Sequence, residues 1–162
     1  MQQLFKQSWF KVPSSITNLA PFLLNKAHKS IRCALIDELN LKGVLLSSLS
    51  LPIFGKMMIE SGEIAQSELQ DFLELDRHRV SRLVRDLEVA QYINIEINPS
   101  NKRENILVFT ETGKELAVLI ELTANEIIEK AYQGISKEAR LITEQTLNQI
   151  TKNLNTEYNE EG

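Results

Sequence analysis

Cysteine is nearly absent from this chain, which has only Cys33. A single cysteine excludes a disulfide within the chain and a zinc site built from cysteines, and it is typical of proteins kept in a reducing cytoplasm. The two histidines and the acidic residues form no cluster with metal-ligand spacing. We therefore expect neither a metal site nor a cofactor.

Long apolar runs are also missing. No stretch approaches the roughly 20 apolar residues that span a bilayer, and the first 15 residues lack the apolar centre of a secretory signal. We expect a soluble, cytoplasmic protein with no membrane partner. The chain has no glycine-rich phosphate loop and no nucleophile elbow, so we expect that it is not an enzyme.

Positive charge is scarce overall but concentrated in one segment. The net charge of the 162 residues is −4, yet residues 77–103 contain six Lys or Arg against three acids, a local charge of +3. The remainder of the chain must then carry −7. This uneven distribution of charge suits a protein in which one segment binds phosphate groups and the others keep the protein soluble.

Apolar residues at helical spacing predict amphipathic helices on both sides of the basic segment. We expect a short amphipathic arm over residues 1–13 and a long helix from about Thr17 to Asn40. Ser50 is a plausible N-cap for a helix that ends at Ile59. After the basic segment, one helix is expected to run to about Gly134 and another to begin at Ser136.

Within the basic segment the pattern predicts two short helices joined by a turn. The first runs from Ile64 to Leu73, and Asp76 is placed to cap the second. In the second helix, apolar residues at positions 80, 83, 84 and 87 predict a buried stripe. The opposite side then carries Arg77, His78, Arg79, Ser81, Arg82 and Arg85.

A β-hairpin is predicted directly after this helix. Tyr92–Ile97 alternates apolar and polar residues, and Ile106–Phe109 is a second β-prone run. The polar tip between them ends in Lys102 and Arg103. A basic helix alone is most often a solvated surface. A basic helix followed by a basic hairpin tip favours a DNA reader, with the helix in the major groove and the tip in the minor groove.

The segment from Glu63 to Leu116 resembles the MarR family of bacterial transcription regulators. The similarity is specific in SELQDFLELDRHRVSRLVRDLE, in the wing at Asn98–Arg103, and in the FTETGKEL segment, which resembles the family's L-T-x-x-G helix start. The resemblance implies a mainly α fold with a small β-wing. Its winged helix-turn-helix is flanked by N- and C-terminal dimerisation helices.

The resemblance also implies domain limits and partners. Residues 1–48 form the arm and first dimerisation helix, 49–110 the DNA-binding lobe, and 111–162 the C-terminal dimerisation helices of one intertwined domain. The implied protein is a homodimeric repressor of a pseudo-palindromic double-stranded DNA operator. Many relatives release DNA when a small aromatic acid binds, so such an effector is a further possible partner.

Four positions depart from the family pattern. Asn98 and Asn101 replace two wing acids, so Arg103 is expected to lose an anionic partner. Ala65 replaces the usual Ser or Thr cap, which is expected to cost that helix about 0.5–2 kcal/mol. Gln91 replaces a glycine at the end of the second helix, so we expect a turn there unlike the glycine-stopped one.

We assign the exposed residues of the helix and the tip three roles. Base edges are expected to be read by His78, Arg79, Ser81 and Arg82, with Arg82 the best candidate for guanine. Phosphates are expected to be bound by Arg77, Arg85 and Lys102, and the minor groove by Arg103.

Two alternatives remain open. A winged helix can serve as a protein-interaction adaptor, because a fold does not fix a function. The outward arginines argue against this alternative. A thiol-redox regulator using Cys33 is the second alternative; its apolar neighbours predict instead that Cys33 is a buried small residue.

Overall fold

Residues 19–158 are described by a computed structural model, with side chains from 19 to 154. The fold is mainly helical with one small antiparallel sheet, as the sequence predicted. The arm predicted over residues 1–13 lies outside the described residues. The elements in chain order are α1 Ala20–Leu41, α2 Ser50–Ile59, β1 Glu63–Ala65, α3 Gln66–Leu73, α4 Arg77–Val89, β2 Ile93–Ile97, β3 Asn105–Phe109, α5 Glu111–Ala131 and α6 Lys137–Tyr158.

The chain divides into two compact units, Met1–Asn125 and Glu126–Gly162. The first unit contains the helix-turn-helix, the sheet and most of α5. The second contains the end of α5 and all of α6. Within residues 19–158, no helix is both long enough and apolar enough to cross a membrane.

Helix α1 agrees closely with its predicted range. Pro21 lies in the first turn, where a missing N–H costs no hydrogen bond. The helix ends at Leu41, and Gly43 then adopts a left-handed φ of 82°. The Val44 N–H donates to the Leu39 carbonyl at 2.9 Å, which closes the helix end.

The start of α2 corrects one prediction. Ser50 is the first helical residue rather than the N-cap, which is Leu49 and makes no side-chain cap bond. The capping acceptor is instead Ser47, whose Oγ accepts the Ser50 N–H at 3.1 Å. Both serines lie near the boundary, and the sequence pattern did not show which hydroxyl would face the first turn.

The sheet contains a strand that the sequence pattern did not predict. The strand order is β1-β3-β2, with both pairs antiparallel. The predicted helix Ile64–Leu73 is therefore wrong at its start, because Ile64 pairs with Leu107 in the sheet and α3 begins at Gln66. Ala65 occupies the N-cap position without a side-chain bond, as expected from its missing hydroxyl.

The core of the first unit lies beneath the helix-turn-helix and the sheet. Phe54 is fully buried at its centre, and its ring lies 5.3 Å from Phe109 and 6.0 Å from Tyr92, the latter edge to face. Such pairs add to the burial of apolar area. The other side chains with less than 2% exposure in this core are Leu39, Ile53, Met57, Leu69, Val80, Val84, Ile93 and Leu107.

The first turn of α5 is joined to the end of α4. Thr110 Oγ1 donates to the Gln91 carbonyl at 2.6 Å and accepts the Gly113 N–H at 2.9 Å. A Cβ on Gly113 would lie 1.9 Å from the Tyr92 carbonyl oxygen. Only glycine permits this approach, which explains in physical terms the T-x-x-G pattern seen in the sequence.

The second unit is held by an exposed cluster around Arg140. Its guanidinium lies 2.6 Å from Glu129 Oε1 and 3.0 Å from Glu144 Oε1, and 4.6 Å from the ring centroid of Tyr132. Hydrogen bonds to the two glutamates raise the pKa of Arg140, so it stays charged. The cluster links the end of α5 to α6.

Candidate nucleic-acid interface

The turn between α3 and α4 determines where the basic helix α4 begins. Glu74 adopts a left-handed conformation with φ of 52°, which ends α3 sharply. Asp76 then caps α4, because its Oδ1 accepts the Arg79 N–H at 3.0 Å. This backbone hydrogen bond is the main cause of the lowered pKa of Asp76. The prediction that Asp76 caps the second helix is confirmed.

Helix α4 has one apolar and one basic side. Val80, Val84 and Leu87 are buried and Leu83 is partly buried, which confirms the predicted stripe. All six outward residues assigned to DNA contact are exposed: Arg77, His78, Arg79, Ser81, Arg82 and Arg85. Helix α4 thus packs against the core with its apolar side and exposes basic residues on its opposite side.

Two of these outward side chains have internal partners. Arg79 Nε lies 3.7 Å from Asp76 Oδ2, an exposed pair that contributes little to stability. Ser81 Oγ accepts from Gln66 Nε2 at 3.0 Å. Among residues 19–154, Arg77, Arg82 and Arg85 form no ion pair, so their charges remain available to a phosphate or a base.

The turn after α4 corrects another prediction. Gln91 has φ of 61°, the left-handed conformation that a glycine would favour. The turn is therefore left-handed at Gln91 even without a glycine, contrary to expectation. Its N–H donates to Glu88 at 2.9 Å, and Tyr92 donates to Leu87 at 3.0 Å, so hydrogen bonds hold the non-glycine residue in this conformation.

The hairpin of β2 and β3 is confirmed, and its ladder extends to the pair Ile97↔Asn105. Beyond this pair, the tip is organised by asparagines. Asn98 Oδ1 accepts the Ser100 N–H at 2.9 Å, and Asn101 Oδ1 accepts the Arg103 N–H at 3.3 Å. These are local side-chain turns that fold a short polar loop.

The two cations of the tip, Lys102 and Arg103, are exposed. No described carboxylate lies within ion-pair distance of the Arg103 guanidinium. The chain therefore presents Arg103 without the anionic partner that the asparagines replace. Its role at the minor groove stays a prediction.

A polar cleft of about 290 Å³ separates the tip from the helix-turn-helix. Arg77 and Arg103 both line it, so cations from α4 and from the tip share one concave surface. Asn101, already noted as a replacement for a wing acid, also lines the cleft. The remaining lining residues, to which the sequence had given no role, are Gln66, Ser67, Gln70, Glu104 and Asn105. Glu104 and Ser67 are 37 positions apart, and local spacing gave no signal of their contact.

Cys33 differs from its predicted environment. It is exposed on α1 in the single chain, so the expectation of a buried small residue is wrong there. Among the described residues, no cationic side chain is bonded to the thiol, and the redox alternative is not favoured. Across residues 19–158, no group of three His, Cys, Asp or Glu could hold a metal ion.

The order of elements and the basic helix-wing surface define the class of winged helix-turn-helix proteins. The MarR family profile matches residues 59–105, which include the helix-turn-helix and most of the wing. The apo crystal structure of MarR from E. coli superposes with a TM-score of 0.70 at 14% identity, over 82% of this chain and 96% of that one. The profile covers less than half of the chain and the structural likeness at 14% identity shows the fold alone, so this chain has the fold of MarR and a segment similar to the MarR family.

Two curated relatives are HTH-type transcriptional regulators. YybA, an HTH-type transcriptional regulator of Bacillus subtilis (strain 168), is 25% identical over 99 residues, 61% of this chain and 66% of YybA. YdcH, from the same strain and class, is 38% identical over 78 residues, 48% of this chain and 52% of YdcH. The chain thus spans just under two thirds and about half of these relatives, which are regulators rather than enzymes.

Proposed function

We propose that this protein is a homodimeric transcription regulator that binds a pseudo-palindromic double-stranded DNA operator and represses transcription from it. The observation that supports this proposal most strongly is the joint exposure of the basic side of α4 and the basic wing tip. An α-helix such as α4 fits the width of a major groove, and a basic wing tip can enter the adjacent minor groove.

Base reading is assigned to the first half of α4. His78, Arg79, Ser81 and Arg82 are exposed there, and Arg82 has the free guanidinium that a bidentate guanine contact needs. Arg77, Arg85 and Lys102 are assigned to phosphates, and Arg103 to the minor groove. An adaptor surface would be expected to offer apolar groups on this side of α4, where the structure has arginines.

The homodimer is supported by two apolar surfaces that the single chain leaves exposed. At the start of α1, the N-cap residue Leu19 and the helical residues Phe22, Leu23 and Leu24 are 38–54% exposed. On α6, the large apolar residues are 37–62% exposed, namely Leu141, Ile142, Leu147, Ile150 and Leu154. A two-fold dimer would bury such surfaces and place two α4 helices about 34–36 Å apart, one turn of DNA.

The proposed function is tested by fluorescence anisotropy with a duplex from the chain's own promoter and a scrambled duplex of equal length. We expect tighter binding to the promoter and a steep loss with salt, by a slope of about −0.9 per phosphate contacted. Light scattering should give a free protein of twice the 18.5 kDa chain mass. Equal affinity for both duplexes, no binding, or a monomer at micromolar concentration would each contradict this function.

An effector is proposed for a separate groove of about 300 Å³ in the first unit. Met58, Phe109 and Val118 supply apolar walls, and Lys114 supplies a cation that is now 2.6 Å from Glu111 Oε1. Glu121 also lines the groove, so an aromatic carboxylate is expected to place its charge at Lys114 and away from Glu121. Benzoate and salicylate, titrated into the DNA complex, are expected to release wild-type protein and to act more weakly on Lys114→Met. Equal release of both proteins would contradict this site.

A further inference from the structure

The carboxylate of Glu104 joins the wing to α3. Ser67 Oγ, in the first turn of α3, donates to Glu104 Oε1. The other carboxylate oxygen, Oε2, accepts from Asn98 Nδ2 at 3.0 Å. One side chain therefore bonds to the helix-turn-helix with one oxygen and to the far side of the hairpin with the other.

The backbone of Glu104 closes the tip at the same place. The Asn98 N–H donates to the Glu104 carbonyl at 2.9 Å, and the Glu104 N–H donates to the Asn101 carbonyl at 2.9 Å. The strand ladder ends at the neighbouring pair Ile97↔Asn105. Glu104 thus lies at the first position of the tip beyond the paired strands.

A second set of bonds runs beside the first. Asn105 Nδ2 donates to Gln66 Oε1 at 3.2 Å, and Gln66 Nε2 donates to Ser81 Oγ at 3.0 Å. This set connects the wing, the start of α3 and the reading side of α4. The first turn of α3 therefore bonds to both parts of the surface proposed to meet DNA.

We propose that Glu104 is a positioning residue that anchors the wing to α3 through Ser67 and so sets where Lys102 and Arg103 stand relative to α4. This inference rests on the proposed DNA-binding function. We name the Ser67–Glu104–Asn98 connection the wing anchor. The residue does not contact DNA in this proposal; it acts through the cations of the tip.

Because Glu104 is negatively charged, a charge effect and an anchoring effect predict opposite changes in DNA affinity when its carboxylate is removed. The carboxylate lies in the cleft with Arg77 and Arg103, where a negative charge would repel phosphate. If charge alone mattered, removing it would tighten DNA binding. If the wing anchor matters, removing it loosens the tip and weakens binding. Glu96 on β2 is exposed and provides the matched control, because Glu96→Ala deletes the same charge from the same hairpin.

The first experiment needs no DNA. Amide ¹⁵N order parameters are measured at Ser100 and Arg103 in wild type, Glu104→Ala, Ser67→Ala and Glu96→Ala. We expect the order parameters of the two tip amides to fall from about 0.85 toward about 0.6 in Glu104→Ala and Ser67→Ala but not in Glu96→Ala. The order parameters of the α4 amides should not change. Ser67→Thr, which keeps the hydroxyl, should restore the wild-type values. Unchanged tip values in Glu104→Ala would overturn the wing anchor.

The second experiment measures operator affinity and the hydroxyl-radical footprint. Glu104→Ala is expected to bind about five- to thirtyfold more weakly, as two lost hydrogen bonds imply, and to lose protection in the flanking minor groove. Ser67→Ala added to Glu104→Ala should cause little further loss, because both act on one connection. Binding by Glu104→Ala as tight as that of Glu96→Ala would overturn the proposal. If wild type binds no operator, the proposed function fails, and the order parameters alone decide the wing anchor.

Discussion

Gly113→Ala tests the junction between the first turn of α5 and the turn that precedes β2. The added Cβ would lie 1.9 Å from the Tyr92 carbonyl oxygen and 3.1 Å from Phe109 Cδ1. Because the nearest atom belongs to the backbone, relief requires a shift of about 1 Å in α5 or in β2. Overpacking typically costs about 1–3 kcal/mol, and alanine recovers at most about 1 kcal/mol of helix propensity. Because the contact is with the backbone, the upper end of this cost applies, and we expect a net loss of about 2 kcal/mol.

Urea unfolding followed by circular dichroism at 222 nm measures this loss. The matched control is Gly55→Ala in α2, because a Cβ on Gly55 meets nothing within 4 Å. That change should stabilise the protein by about 0.5–1 kcal/mol. If Gly113→Ala were as stable as Gly55→Ala, the close approach at Tyr92 and the role assigned to the T-x-x-G pattern would be refuted.

Three further outcomes are expected from single positions in the same unit. Gln91→Gly should raise the free energy of unfolding by about 0.5–1 kcal/mol, because it removes a left-handed non-glycine residue; a loss would contradict this. Thr110→Val should lower it by about 1–2 kcal/mol through the lost bonds to Gln91 and Gly113, and no loss in urea would contradict it. Asp76→Ala should destabilise α4, whereas Asp76→Asn keeps a capping oxygen. The folded-state pKa of Asp76 is lowered, so the contribution of its charge is present at neutral pH and is lost as the pH falls below about 4. Urea midpoints that differ between wild type and Asp76→Asn equally at pH 3 and pH 7 would contradict this pH dependence.

The sequence predicted those features that depend only on residues close together in the chain. The stripe of Val80, Val84 and Leu87, the capping by Asp76 and the hairpin after Gln91 all follow from spacing within a few residues, and the structure has them. The basic side of α4 follows from the same periodicity, because once the buried stripe is fixed, the outward side is fixed as well. The DNA roles of its arginines stay a prediction.

The features that sequence reasoning missed depend on distant partners. Strand β1 has three residues and exists through its pairing with β3, more than 40 positions away, so Ile64 read as the start of a helix. The Ser67–Glu104 bond is equally non-local. At Gln91, a pattern based on glycine preference predicted a different turn, whereas hydrogen bonds to the end of α4 impose the left-handed conformation.

The solvent side of the first helix also escaped prediction. Cys33 has apolar neighbours in sequence, which favoured burial, yet on a helix the adjacent positions point in different directions. Whether such a residue is covered depends on the packing of the whole chain and, under the proposed function, on a second copy of it.

The central claim is that Arg82 of α4 reads base sequence whereas Lys102 of the wing contacts DNA phosphates. Anisotropy titrations of Arg82→Ala and Lys102→Ala on the operator and on scrambled DNA, over a range of salt, test it most directly. Arg82→Ala should lose about 1–3 kcal/mol on the operator and little on scrambled DNA. Lys102→Ala should weaken both duplexes alike and reduce the salt slope by about 1. Equal losses on both duplexes for both variants would contradict the account.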